Sequence, residues 1–105
     1  MSVIMQFAIF PTDKHEGLGK YVARVINMLD EEKADYRLTP MATIVETETI
    51  EQATSLLNKA HQLFNDCQRV YLSVNIDSKK GSTKTILYAF SILYFIYSHE
   101  VIGFK

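Results

Sequence analysis

An α+β fold, a ferredoxin-like βαββαβ sandwich with an additional C-terminal helix, is what this 105-residue sequence predicts. Three observations lead there. Residues 3–10, 36–39, 42–47 and 69–76 carry strand-like apolar patterns. Residues 20–29 and 53–64 repeat their apolar positions with the period of a helix. The order strand, helix, strand, strand, helix, strand makes each helix a crossover, with both helices on one face of a four-stranded sheet.

In residues 3–10, Val3, Met5, Phe7 and Ile9 alternate with Ile4, Gln6, Ala8 and Phe10. Both sets are largely apolar, so this strand is expected to be covered on both sides. Residues 11–19 are polar and contain Gly17 and Gly19, which marks a loop leading into the first helix. That helix is expected to bury Tyr21, Val22, Val25, Ile26 and Leu29, and to end within the charged stretch 30–35. Pro40 cannot donate a ladder hydrogen bond, so it separates the strands at 36–39 and 42–47 by an edge, a bulge or a bend. Thr49 and Gln52 have the spacing of a capping box, in which hydroxyl and amide satisfy the exposed N–H groups of a helix start. Ala53, Leu56, Leu57, Ala60, Leu63 and Phe64 continue the apolar face of that helix. Val70, Leu72, Val74 and Ile76 form one face of the last strand, and residues 77–82 read as a polar loop.

The chain is long enough for one domain, 1–105, in which 84–105 is expected to form an atypical apolar helix. Its 48% apolar content argues against disorder. A formal charge of −1 offers no electrostatic case for a nucleic-acid or polybasic membrane partner. Cys67 is the single cysteine, which excludes a disulfide framework within the chain. The N-terminal stretch lacks the basic and apolar regions of a signal peptide. The apolar run at 86–97 falls well short of the roughly 20 residues that span a bilayer. A soluble, cytoplasmic protein is expected. Residues 86–97 are too apolar on every side for one small sheet to bury, and a subunit interface is their expected place.

No metal, phosphate-loop, dinucleotide or nucleophile-elbow pattern is present, and His15, His61 and His99 are widely spaced. No cofactor is expected. Cys67 reads as a half-buried thiol and His61 as a surface or boundary residue; either serves an enzyme only with a partner brought in by the fold. Two polar clusters remain, at 39–46 and 75–81. The second reads first as a turn with a solvated charge run, and as the mouth of a pocket in the functional alternative. Glu46 and Asp77 suit a cationic ligand, whereas Arg37, Lys79 and Lys80 suit an anion.

The run Tyr36-Arg37-Leu38-Thr39-Pro40-Met41-Ala42-Thr43-Ile44-Val45-Glu46 resembles the Tyr-x-Leu-Thr-Pro-Met-Gly-Thr-x-x-Glu signature of the small thiamine-binding protein family. Arg69-Val70-Tyr71 and Val74-Asn75-Ile76-Asp77-Ser78-Lys79 are similar to that family's Arg-Val and Ile-Asp-x-Arg segments. The resemblance covers residues 2–84. It implies a ferredoxin-like fold, homodimers formed by sheets packing face to face, and in some members tetramers. It also implies non-enzymatic binding of thiamine or its hydroxymethylpyrimidine portion, a small-molecule ligand with a cationic thiazolium and a flat aminopyrimidine. Carried onto this chain, the ligand-binding positions are Thr39, Met41, Thr43, Glu46 and Asp77. Thr43 and Glu46 are expected to recognise the ligand, Thr39 and Met41 to shape the pocket, and Asp77 to act on the ligand or through the local fold.

The chain departs from the family pattern at Ala42 and Thr47, where glycines are expected, at Lys79 in place of arginine, and throughout the stretch after Lys84. These departures motivate the alternative of a structural or regulatory homo-oligomer with a vestigial pocket. An enzyme built on Glu46, His61 or Cys67 has the least support, because no nucleophile–base spacing is visible.

Overall fold

The computed structural model describes residues 2–14 and 17–80. Its elements follow the order β1 (Ser2–Pro11), α1 (Leu18–Glu31), β2 (Asp35–Leu38), β3 (Thr43–Thr47), α2 (Ile50–Gln62) and β4 (Val70–Lys79). The strands form one sheet in the order β2-β3-β1-β4, with every neighbouring pair antiparallel. This is the βαββαβ arrangement that the sequence pattern predicts. The expected helix at 84–105 lies outside the described residues.

Apolar side chains that alternate along a strand fall on one face, and here that face meets both helices. Val3, Met5, Phe7 and Val45 from the sheet close on Tyr21, Val25, Met28 and Leu29 of α1 and Ala53, Leu56 and Ala60 of α2, with Phe64 following α2. The Tyr21 and Phe64 rings stack with centroids 5.5 Å apart, joining the two helices. On α1 the buried set differs from the expected one: Met28 enters the core and Val22 stands 52% exposed. Positions 21, 25, 28 and 29 share a narrower stripe than a five-residue face, and Val22 falls just outside it.

Two helix boundaries show their chemistry directly. Gly17 precedes α1 with φ 70°, a left-handed conformation that glycine adopts without penalty. At the other end the amide of Lys33 donates to the Asp30 carbonyl (3.1 Å) and that of Ala34 to the Leu29 carbonyl (2.9 Å), a Schellman closure. Lys33 takes the left-handed position there, with φ 55°. The capping box of α2 is present as predicted: the Gln52 amide N–H donates to the Thr49 hydroxyl (3.1 Å), and the Thr49 N–H donates to Gln52 Oε1 (3.2 Å). Thr49→Ala is expected to lower the unfolding free energy by about 1 kcal/mol, read from the midpoint of urea denaturation.

One expectation at β4 changes. Residues 77–79 belong to β4 and not to a loop, because their backbone pairs with Ser2, Val3 and Ile4 at the start of β1. The second face of β1 is not covered by either helix. Gln6 and Phe10 are exposed there, because both helices pack on the opposite face. Among the described residues, no helix is long and apolar enough to cross a membrane.

Candidate functional site

Thr39 organises the turn joining β2 and β3. Its N–H and its hydroxyl both donate to the Ala42 carbonyl (2.9 and 2.8 Å). The same hydroxyl accepts from the amides of Ala42 (3.0 Å) and Met41 (3.3 Å). The hydroxyl proton is therefore committed within the turn. Met41, at the tip, is 84% exposed. Ala42 lies outside the left-handed region, where among the described residues only Gly17 and Lys33 are found. Alanine therefore fits this turn without the strain that would demand glycine.

Thr43 and Glu46 sit on the same strand but on opposite faces, since their separation of three residues is odd. Thr43 is in register between Leu38 and Phe7, on the helix-bearing side. Glu46 is in register between Asp35 and Ile4 on the open side, and Ile4 in turn faces Asp77. Asp35, Glu46, Ile4 and Asp77 thus form one row across all four strands. Glu46 and Asp77 are two strand spacings apart in it, about 10 Å. The structure brings together Glu46 and Asp77 of the expected site residues, and adds Asp35 to them. It sets Thr39, Met41 and Thr43 at the other end of β3.

Along the open face the chemistry is graded. The row of three carboxylates is followed by Arg37, Ile44, Gln6 and Asn75, then by Ala8 and Ser73, and finally by Phe10 and Tyr71. The last two rings lie 5.3 Å apart between centroids.

The acidic row opens into a groove of about 1180 Å³ between the start of β2, the end of β3 and α2. Strand β2 begins at Asp35, and its first residue pairs with Glu46, so the last residue of β3, Thr47, has no partner on that side. Ser2 and Glu46 contribute to the lining, and the buried Ser2 hydroxyl donates to Glu46 Oε2 at 2.7 Å. That bond fixes the carboxylate and leaves its second oxygen for another partner. Carboxylates outnumber lysines five to two around the groove, and one lysine, Lys59, is paired with Glu32. Gln52 and Ser55 add an amide and a hydroxyl from α2. Such a lining attracts a cation and offers neutral polar groups to the rest of a small molecule. Ser2, Asp35, Gln52 and Ser55 were not visible as site residues in the sequence. Only strand register and helix packing bring them beside Glu46.

The remaining reactive groups stand elsewhere. His61 is exposed on α2, and Cys67 is half-buried after it. Cys67 Sγ lies 3.7 Å from Asp66 Oδ1. The Arg24 guanidinium grips Asp66 through two bonds of 2.8 and 3.0 Å, donates to the Leu63 carbonyl and lies over the Tyr21 ring. This clamp holds the Asp66 carboxyl down at about 2, so Asp66 is a weak base toward the neighbouring thiol. A lowered folded-state value means that Asp66 stabilises the fold fully above about pH 5 and loses that contribution as pH falls toward 2. Asp66→Asn is expected to flatten the decline of stability across that interval, measured by thermal unfolding at stepped pH. Among the described residues, no cluster of three or more histidine, cysteine or acidic side chains has the geometry to hold a metal ion.

Comparison with known proteins adds an independent line. Residues 5–89 match the family model described as "Thiamine-binding protein". A hypothetical protein from Methanocaldococcus jannascii superposes with a TM-score of 0.75 at 25% identity, covering 88% of this chain and 95% of that one. A Thermotoga maritima protein assigned provisionally to thiamine biosynthesis/salvage gives 0.74 at 23% identity, covering 89% and 99%. A de novo designed protein with ferredoxin fold gives 0.52 at 15% identity over 82% of this chain and 93% of that one, a likeness of fold alone. No curated protein matches the chain significantly.

Proposed function

The chain belongs to the thiamine-binding protein family, and from that premise we propose that it binds thiamine or its pyrimidine moiety without transforming it, as a cytoplasmic homo-oligomeric carrier or sensor. The observation that carries the reading is Glu46. It is the signature carboxylate of the sequence, and it lines an acid-rich groove with one oxygen anchored by Ser2. In this reading the thiazolium cation sits against Glu46 and Asp35, whose charges favour it in a partly desolvated groove. The aminopyrimidine edge hydrogen-bonds to Gln52 and Ser55. Gln52 Oε1 is committed to the amides of Glu48 and Thr49, so its NH₂ group is the part offered to a ring nitrogen. Thr39 and Met41 shape the β2–β3 hairpin, and Asp77 extends the negative row beyond the groove.

Isothermal titration calorimetry of the full chain tests the reading. Thiamine is expected to bind, and the uncharged hydroxymethylpyrimidine to bind about tenfold or more weaker, for want of the cation–carboxylate contact. Recovery of unchanged thiamine after incubation is the expected result for a binder. No heat with either compound at millimolar concentration points instead to the structural or regulatory oligomer.

A further inference from the structure

Two places on the acidic groove are suited to an anion, and the chain fills both with its own groups. The first is the N-terminus of α2, where backbone N–H groups and the helix dipole favour negative charge. There the amides of Glu48 and Thr49 donate to Gln52 Oε1 (2.9 and 3.2 Å), and the amide of Gln52 donates to the Thr49 hydroxyl (3.1 Å). Glu51 adds a carboxylate in the same first turn. The second place is Lys59, in the last turn of α2, whose ammonium is paired with the Glu32 carboxylate. The backbone of Glu32 is itself held, because its amide donates to the Met28 carbonyl (3.0 Å) at the end of α1. We propose that the groove takes thiamine in its unphosphorylated form and turns away its phosphate esters, and that the Glu32–Lys59 pair sets this selectivity. The inference rests on the groove being the thiamine site and adds to that reading which chemical form of the ligand is held.

Thiamine carries a hydroxyethyl arm on its thiazolium ring. Esterifying that hydroxyl with phosphate adds a charge of about −1.5 to −2 near neutral pH, which turns a cation into a net anion. A phosphate is retained where ammonium, guanidinium or unoccupied N–H groups replace its water. Among the described residues no arginine lines the groove, and carboxylates outnumber lysines there even with Lys33 counted. Lys59 stands on the helix that also supplies Gln52 and Ser55, and the run of α2 from Thr49 to Lys59 is about 15 Å long. To hold a phosphate, Lys59 must give up Glu32, and the released carboxylate then faces the incoming anion. The pair therefore acts twice: it neutralises the ammonium and keeps a negative charge beside it. Both side chains are half-exposed, so the discrimination is moderate and weakens as salt rises. A groove of this kind separates a ligand from the product of its phosphorylation, which places the protein on the substrate side of a phosphoryl-transfer step.

Calorimetric titration of the full chain compares thiamine with thiamine monophosphate at low salt and above about pH 7, where the phosphate is mostly dianionic. The monophosphate is expected to bind about tenfold or more weaker than thiamine. Glu32→Gln leaves Lys59 without its carboxylate and is expected to narrow that ratio by about threefold or more, chiefly by tightening the monophosphate. Adding Lys59→Met to Glu32→Gln is expected to remove the gain. Glu48→Gln also takes one negative charge from the groove but releases no ammonium, so it is expected to tighten the monophosphate less than Glu32→Gln does. Circular dichroism checks that each variant is folded. Equal affinities of the parent chain for the two compounds leave the thiamine reading standing and overturn the selectivity. A gain that survives Lys59→Met, or that Glu48→Gln reproduces in full, overturns the part assigned to the ion pair. Binding of neither compound overturns the thiamine reading and this inference together.

Discussion

Phe7→Ala is expected to lower the unfolding free energy by about 3–5 kcal/mol, the largest loss of any single truncation in the described core. Phe7 is 1% exposed and lies on the central strand β1, in register between Thr43 of β3 and Val74 of β4. Its ring occupies the layer between sheet and helices, and those surroundings are regular elements tied by ladders on both sides, so they cannot collapse into the space left by the ring. The cost therefore combines lost burial with a persistent cavity. Against a total of about 5–15 kcal/mol for a domain, this is a large share, and much of the variant is expected to be unfolded at physiological temperature. Urea denaturation followed by circular dichroism measures it, as a midpoint lowered by more than about 1 M. Val22→Ala is the control. It also removes apolar atoms, but from an exposed position on α1, and is expected to change stability by less than about 0.5 kcal/mol.

Glu46→Lys is expected to weaken thiamine binding by about 100-fold or more. The substitution removes one attraction for the thiazolium and adds a repulsion in its place, and two unit charges 4 Å apart interact by about 4 kcal/mol near a protein surface. It also breaks the Ser2–Glu46 bond that holds the carboxylate in the groove. Glu46→Gln keeps the shape and an acceptor for Ser2, so its effect isolates charge and is expected to be smaller. Thr43→Val is the companion measurement. Thr43 is on the other face of the sheet and three residues away, so its affinity is expected to stay close to that of the parent chain. Calorimetry on all three, with unchanged circular dichroism, separates recognition from folding. A Thr43→Val variant that abolishes binding while Glu46→Lys spares it would move the site to the helix-bearing side of the hairpin.

These two residues also mark how far the sequence can be read. Phe7 belongs to a strict alternation with Val3 and Met5, and period two can bury only one such set on the helix-bearing face, so its place in the core is legible directly. Glu46 is legible as part of a motif, and alternation along β3 already separates it from Thr43. Its surroundings are not legible. Asp35 reads as the end of a charged stretch after a helix, and Ser2 as the second residue of the chain. Neither carries a local signal of a site, because what brings them to Glu46 is the pairing of β2 with β3 and of β3 with β1. Thr39 shows the converse. The motif marks it as a pocket residue, while four hydrogen bonds show its hydroxyl and amide holding the turn. From the sequence Asp77 reads as a loop residue, because its stretch is polar. Long-range pairing with Ile4 draws it into the strand, and backbone hydrogen bonds are indifferent to side-chain polarity.

The sequence by itself determined the order of elements, the capping of α2, the strand period that builds the core, and the family signature. Each of these is a local pattern, written by steric preference, hydrogen bonding to the nearest amides or the spacing of apolar side chains. Only the tertiary structure decided that Val22 stays outside the core, that β4 extends through Lys79, and that Ser2, Asp35, Glu46, Gln52 and Ser55 share one groove. Those outcomes depend on register between strands far apart in the chain and on which helix stripe meets the sheet. Such contacts join residues separated by tens of positions, and no local period encodes them.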